Sequence, residues 1–178
     1  PTYEGIVSDI ASIKKMMEPY KIPLIVDEAH GAHLIFHDYF PSSATECGAD
    51  LVIQSTHKTL PSFTQTAVLH LCSDLVSKEQ VEEMIDIYET SSPSYLLMAS
   101  AEYGIMYMKE KQGQLEEYVD NLKNFRSKCE QLKKIKLLDR QKSDCFAYDN
   151  GKLVFSVKNA GINGKEFFNL LYRKYHIE

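Results

Sequence analysis

The sequence has no long apolar run, no basic run and no close pair of cysteines. No apolar stretch approaches the roughly 20 residues that cross a bilayer. Its 20 Lys and Arg residues are outnumbered by 25 Asp and Glu, and they form no track for a nucleic-acid backbone. The four cysteines are far apart and follow no signal peptide, which is typical of reduced thiols. We therefore expect a soluble cytoplasmic protein that binds neither membranes nor nucleic acids.

The chain also lacks an initiator methionine. Its opening residues, Pro1 to Gly5, do not resemble the start of a domain, so we expect a part of a longer protein. The composition, 44% hydrophobic and 25% charged, is typical of a globular fold. The length is sufficient for one sizeable core with a smaller appendage.

The spacing of apolar residues predicts an alternation of helices and short strands. Ser8 or Asp9 is suited to cap a helix that ends at about Glu18. Three uninterrupted apolar runs follow, and such runs are typical of strands covered on both faces, as in parallel sheets. The predicted strands are 23–27, 49–54, 66–71 and 153–158, and further helices are predicted beyond residue 77, at 95–112, at about 115–129 and at 164–175.

Polar residues end two of the apolar runs. Asp27 ends the first, and Ser55-Thr56-His57-Lys58 follows the second. Ligands of open α/β sheets bind outside the carboxyl ends of the strands. We therefore expect Asp27 and Lys58 to belong to one site.

Lys58 has the position of a nucleophilic amine. A lysine directly after a buried strand can reach over the sheet edge with its four-carbon stem. Burial and a neighbouring cation lower the pKa of an amine, so that it attacks an aldehyde near neutral pH. The flanking hydroxyls and His57 are suited to bind a phosphate. The alternative is a solvated charge at a strand end, and residues 55–60 alone do not decide between the two.

Asp27 favours the first interpretation of Lys58. A carboxylate buried at a strand end needs a partner, because an isolated buried charge is very costly. In pyridoxal-phosphate enzymes that partner is the protonated ring nitrogen, which keeps the ring an electron sink. Asp27 and Lys58 together form a minimal clamp for this cofactor. The alternative for Asp27 is a helix cap or a structural salt bridge.

Residues 24–30, LIVDEAH, also resemble the Mg²⁺-binding strand end of a DEAH-type helicase. That chemistry requires a phosphate-binding loop of the form G-x-x-x-x-G-K-[ST], which does not occur in this sequence. The acidic composition is also unusual for a helicase, which makes this the more distant alternative.

Three histidines raise the possibility of a metal site. His30, His33 and His37 have the spacing of one helical face, and Asp38 and Glu28 are close in sequence. Gly31 and the surrounding aromatic residues weaken this interpretation, because histidines of aromatic loops are more often packing residues. We predict no metal.

Six short segments spread along the chain carry a resemblance to a known family. They are PTYEG at 1–5, VDEAHGAH at 26–33, QSTHKTL at 54–60, QTA at 65–67, TSSPSY at 90–95 and VKNAG at 157–161. Together these segments resemble the major domain of the bacterial Orn/Lys/Arg decarboxylase family, and the likeness covers essentially the whole chain.

The resemblance implies an α/β fold like that of aspartate aminotransferase. Residues 1–112 would be the second half of a pyridoxal-phosphate-binding large domain, truncated at its N-terminal side, with a mostly parallel sheet flanked by helices. Residues 113–178 would begin a smaller C-terminal α/β domain. The resemblance also implies pyridoxal 5'-phosphate as cofactor, decarboxylation of lysine, ornithine or arginine, and a homodimer or larger homo-oligomer with active sites at subunit interfaces.

The resemblance implies that four residues hold or surround the cofactor ring. Lys58 would carry the cofactor, and Asp27 would hold the pyridine nitrogen. Ala29 would pack on one ring face, and His30 would lie near the substrate or the ring.

Four further residues receive roles from the resemblance. Ser55 and His57 would contact the phosphate, and either Ser91 or Ser92 would reach the phosphate of the neighbouring subunit. His57 and the freed Lys58 are both candidates for the proton donor to the α-carbon.

Other activities on the same fold remain open. An aminotransferase or lyase would use the same lysine and aspartate, but an aminotransferase commonly needs an arginine for the α-carboxylate. The only arginines are Arg126, Arg140 and Arg173, and none lies beside a motif. Their placement favours a decarboxylase. A scaffold without chemistry is the third possibility.

Overall fold

Helices and short strands alternate along the chain in the computed structural model, which describes residues 1–139 and 144–177. In this described part they are β1 (Ile6–Val7), α1 (Ile10–Met17), β2 (Ile25–Asp27), β3 (Leu51–Gln54), α2 (Thr56–Thr59), β4 (Val68–Leu71), α3 (Lys78–Tyr88), α4 (Tyr95–Glu110), α5 (Gln112–Glu130), β5 (Lys136–Leu137), β6 (Ala147–Tyr148), β7 (Phe155–Ser156) and α6 (Gly164–Tyr175), with 3₁₀ turns at Glu18–Tyr20 and Leu34–Phe36.

Several helices begin at side chains that cap them. Asp9 caps α1 by accepting a hydrogen bond from the backbone N–H of Ser12 at 3.0 Å. Ser77 and Asn163 form capping boxes at α3 and α6, in which side chain and backbone bond reciprocally over three residues. The predicted helices are therefore confirmed to within a few residues. No helix in the described ranges is long and apolar enough to cross a bilayer.

The central sheet has three strands in the order β2-β3-β4. β2 runs parallel to β3, with Val26 opposite Val52, whereas β4 runs antiparallel to β3, with His70 opposite Val52. The prediction of a mostly parallel sheet is therefore wrong for the strands described. The physical reason is the β3–β4 connection, which contains only the single turn α2, so that the chain doubles back without a crossover helix. The carboxyl ends of β2 and β3 still meet at one edge.

Only one face of this sheet is covered within the described structure. Val52 is fully buried on the covered face, where it packs with Ala44 and Ala49. On the other face Ile25 is 60% exposed and Ile53 is 39% exposed. The expectation that the first strand is covered on both faces is therefore wrong here, because α1 and the loop after β2 pack on one side alone.

A second core joins distant parts of the chain. Leu34 and Phe40, from the loop after β2, pack against three apolar side chains of α5. β1 pairs with β6, with Ile6 opposite Tyr148, and this pairing brings the turn after β6 beside the loop after β2. The predicted domain boundary, between residues 112 and 113, falls in the first turn of α5, and the division into two domains stays a prediction.

Candidate active site

A cavity of about 380 Å³ lies at the carboxyl ends of β2 and β3. Asp27, Ala29, His30 and Lys58 line it together, with residues of the first β-strand on the other side. We call it the strand-end cavity. Its volume is in the range of small-molecule sites. Four of the residues that the sequence singled out are therefore neighbours in space.

The helical turn α2 positions Lys58. Thr56, which is 1% exposed, anchors the turn by a hydrogen bond of 2.7 Å to the Thr66 hydroxyl, and Ser62 Oγ donates to Thr56 Oγ1 at 3.0 Å. Lys58 follows two residues later, and its side chain is exposed rather than buried as the sequence suggested. The hydrogen-bonded turn α2 thus carries a lysine whose side chain is exposed.

His30 is the direct neighbour of the Lys58 amine. Its Nε2 lies 3.3 Å from Lys58 Nζ, and the Tyr3 ring packs edge-on against the imidazole at 5.4 Å between ring centroids. Burial lowers the pKa of His30, and the positive charges of Lys58 and Lys152 lower it further. The imidazole is therefore neutral at pH 7 and able to exchange a proton with the amine.

The two carboxylates after β2 have opposite environments. Asp27 is exposed, and its Oδ1 accepts the backbone N–H of Ala29 at 2.9 Å. The expectation of a buried Asp27 is wrong in this structure, because strand alternation puts Asp27 on the open face with Ile25. Glu28 lies on the covered face and is only 3% exposed.

Glu28 is a structural residue that the sequence did not reveal. Its carboxylate accepts hydrogen bonds from Ser43 Oγ at 2.6 Å, the Ala44 backbone N–H at 2.8 Å and Gln54 Nε2 at 2.6 Å. The turn after β2 is thereby fixed to β3 and to the following loop. A side chain at Gly31 would place its Cβ 2.5 Å from Glu28 Cγ, so this turn requires glycine.

The predicted phosphate contacts lie outside the strand-end cavity. Ser55 precedes α2 as its N-cap residue without a capping side-chain bond, and His57 Nδ1 lies 2.8 Å from the carbonyl oxygen of Thr66. Ser91 and Ser92 are exposed between α3 and α4. The roles of these four residues toward a phosphate stay predictions.

Lys58 also borders a second cavity of about 430 Å³, which we call the lysine cavity. It is also lined by Lys111, Lys152, Thr59 and the pair His33–Asp149. The sequence did not point to Asp149 or Lys152, because they lie about 90 residues beyond the motif of Lys58 and reach it only through the pairing of β1 with β6.

Asp149 is a fully buried carboxylate in the lysine cavity. Its Oδ2 lies 3.2 Å from His33 Nε2, and its Oδ1 accepts the Gly151 backbone N–H at 2.9 Å. Burial alone would raise the pKa of Asp149, but His33, the Gly151 N–H and the charge of Lys152 outweigh it and hold that pKa below its ordinary value. Asp149 is therefore held as a carboxylate anion within hydrogen-bonding distance of His33.

The three histidines considered for a metal have separate partners. His30 contacts Lys58, His33 contacts Asp149, and His37 Nε2 lies 2.9 Å from Glu116. Within residues 1–139 and 144–177, no three metal-ligating side chains converge.

Neither of the described arginines, Arg126 and Arg173, lines either cavity. The guanidinium of Arg126 donates to the backbone carbonyls of Asn150, Leu138 and Lys152 at 2.7–3.2 Å, so its role is structural. Arg173 lies on α6, and Arg140 lies outside the described residues.

Lys58 and Asp27 thus lie together at the ends of adjoining strands in an α/β fold. The resemblance found in the sequence implied such a pair. Residues 1–171 match the family described as Orn/Lys/Arg decarboxylase, major domain, and the chain belongs to this family. This confirms the family that the sequence resembled.

Individual relatives agree with this assignment. The chain is 35% identical over 182 residues to an arginine decarboxylase of Bacillus subtilis, covering 100% of this chain and 37% of the relative. It is 28% identical to the inducible lysine decarboxylase of Escherichia coli, over 63% of this chain and 16% of the relative. The chain thus spans well under half the length of these curated relatives.

The fold is also that of a solved structure. The lysine decarboxylase of Francisella novicida superimposes with a TM-score of 0.75 at 20% identity, covering 99% of this chain and 30% of that one. At this identity the likeness establishes the fold.

Proposed function

We propose that the protein is a pyridoxal-phosphate-dependent decarboxylase of a basic amino acid, namely lysine, ornithine or arginine. The observation that supports this most directly is the strand-end cavity, which Lys58, Asp27, Ala29 and His30 line together. Membership in the Orn/Lys/Arg decarboxylase family supports the reaction and the substrate class.

The residues of the strand-end cavity fit the cofactor. Asp27 uses one oxygen for the Ala29 N–H, and its other oxygen makes no hydrogen bond to the described residues, so it is available to the cationic ring nitrogen. Ala29 offers a small apolar surface for a ring face, and Lys58 offers an accessible amine. Pyridoxal phosphate bound there would take up the electron pair that remains on the α-carbon when CO₂ leaves.

Side chains of this protein would deliver the proton that the α-carbon takes up after CO₂ leaves. Lys58 Nζ lies 3.3 Å from His30 Nε2, so a proton can pass between the two groups at the cavity. His57 has its Nδ1 beside the Thr66 carbonyl and does not line the cavity. We therefore assign proton delivery to the α-carbon to Lys58, with His30 as its exchange partner.

Two domains and an oligomer are expected for this protein. We propose that residues 1–112 belong to a large domain like that of aspartate aminotransferase and residues 113–178 to a smaller domain. We further propose a cytoplasmic homodimer or larger homo-oligomer. The exposed Ser91 and Ser92 are available to contact the cofactor phosphate of a neighbouring subunit.

Reductive trapping tests this function. The full-length gene product and its Lys58→Ala variant are mixed with pyridoxal phosphate, scanned for visible absorbance, reduced with borohydride and mapped by peptide mass spectrometry. Lys111→Ala is the matched control, because Lys111 borders the lysine cavity but not the strand-end cavity. We expect a cofactor adduct on Lys58 in wild type and in the control, and none at this position in Lys58→Ala.

Release of CO₂ from lysine, ornithine or arginine by the wild type completes the test. A keto acid without CO₂ would instead identify an aminotransferase. No adduct on Lys58 in the wild type would refute the cofactor assignment.

A further inference from the structure

Three ammonium groups border the lysine cavity. They belong to Lys58, Lys111 and Lys152, and within the described structure none of them forms an ion pair. The cavity's one carboxylate, Asp149, is already shared between His33 and the Gly151 N–H. A concave site with excess positive charge raises the local concentration of anions.

The backbone of Lys152 is fixed by hydrogen bonds. Its backbone carbonyl accepts a hydrogen bond from Arg126 Nη2 at 2.7 Å, and its backbone N–H donates to the Asp149 carbonyl at 3.0 Å. Its stem passes over Gly5, where an added Cβ would lie 2.9 Å from Lys152 Cγ. Gly5 has φ +97°, so this close approach depends on glycine.

Lys152 acts on both cavities. Its positive charge contributes to the lowered pKa of His30, which lines the strand-end cavity, and to that of Asp149, which lines the lysine cavity. Lys58 borders both cavities as well. An anion bound by Lys152 in the lysine cavity would therefore share that cavity with Lys58.

Two buried polar atoms of the lysine cavity have no hydrogen-bond partner in the described part of the chain, namely His33 Nδ1 and Thr59 Oγ1. Asp149 Oδ2 forms no hydrogen bond either, but it pairs with His33 Nε2 at 3.2 Å. Such atoms are costly unless a ligand or water satisfies them. A ligand oxygen is a suitable acceptor for the Thr59 hydroxyl.

We propose that Lys152 binds the α-carboxylate of the amino-acid substrate in the lysine cavity. This proposal rests on the proposed function and adds a substrate-binding residue to it. The α-carboxylate suits the excess of ammonium groups, whereas the distal cation of a basic amino acid is repelled by them. A lysine is a point charge and holds a carboxylate less rigidly than the two-pronged arginine, which suits a carboxylate that must leave as CO₂.

Comparing an amino acid with its own decarboxylation product tests this role. The two ligands differ only by the carboxylate. The full-length protein is loaded with pyridoxal phosphate and reduced with borohydride, so that no turnover occurs, and dissociation constants are measured by calorimetry. For Lys152→Gln we expect about tenfold weaker binding of the amino acid, about 1.4 kcal/mol, with binding of the amine unchanged.

Two variants serve as controls. Lys152→Arg keeps the charge and is expected to restore most of the affinity for the amino acid. Lys111→Gln removes another ammonium of the same cavity, from an exposed position, and is expected to change the affinity by less than about threefold.

The outcomes separate this role from others. Equal losses for amino acid and amine, accompanied by a lower melting temperature, would show that Lys152 is structural and overturn the proposal. Unchanged affinities would overturn it too. A wild-type protein without a cofactor adduct on Lys58 would overturn the proposed function itself, and that result is visible before any Lys152 variant is made.

Discussion

Substitution of Glu28 should lower the free energy of unfolding much more than substitution of the neighbouring Asp27. Glu28→Ala would leave Ser43 Oγ, the Ala44 N–H and Gln54 Nε2 without their acceptor in a site that is 3% exposed. At about 1–3 kcal/mol for each buried unsatisfied group, and with partial relaxation, we expect a loss of about 3–5 kcal/mol in the free energy of unfolding. Glu28→Gln keeps one acceptor oxygen and should lose about 1–3 kcal/mol.

Asp27→Ala is the matched control, since it removes the preceding carboxylate. Asp27 is exposed and makes one hydrogen bond, to the Ala29 N–H, so its loss should cost less than about 1 kcal/mol. The same variant should bind pyridoxal phosphate much more weakly, by titration of the visible absorbance. Stability is measured by urea unfolding of cofactor-free protein. A Glu28→Ala variant within about 0.5 kcal/mol of wild type would refute the assignment of Glu28 as the anchor of this turn.

Two further predictions concern other positions. Asp50 is buried and bonded by Lys14 Nζ at 2.6 Å; although burial opposes it, hydrogen bonds from the Leu24 N–H, Lys14 and Ser73 hold its pKa below the ordinary 3.8. Its stabilisation is thus complete above pH 3.8 and lost as the pH falls through the lower folded-state pKa, so acid unfolding of Asp50→Asn, followed by circular dichroism, should lack this component. Gly31→Ala should lower the melting temperature, because its Cβ would lie 2.5 Å from Glu28 Cγ, and an unchanged melting temperature would contradict that packing.

Local sequence signals predicted the helices and the central strands well, but not the two-residue strands β1, β5 and β6. Asn163 and Glu166 specify the start of α6 through a capping box, and the helix spans Gly164–Tyr175 as predicted. The direction of β4 was not predictable in the same way, because an apolar run has the same pattern in parallel and antiparallel strands. Only the short connection through α2 sets that direction.

The candidate site was predictable where its residues follow strands. Asp27 and Lys58 were found because each ends an apolar run, and they do line one cavity. Glu28 was missed because its burial depends on which sheet face is covered. Lys152 was missed because the pairing of Ile6 with Tyr148 involves strands of two residues, which have no recognisable period.

The pairing of β1 with β6 also dictates when the site can be completed during synthesis. Strand β1 leaves the ribosome long before β6, and its partner is available only once residues 147–148 have emerged. Contacts of such large sequence separation form late in folding. A nascent chain that ends before Asp149 already contains Asp27 and Lys58 but lacks three residues of the lysine cavity, Asp149, Gly151 and Lys152. The lysine cavity therefore cannot be completed until residues 149–152 have been synthesised.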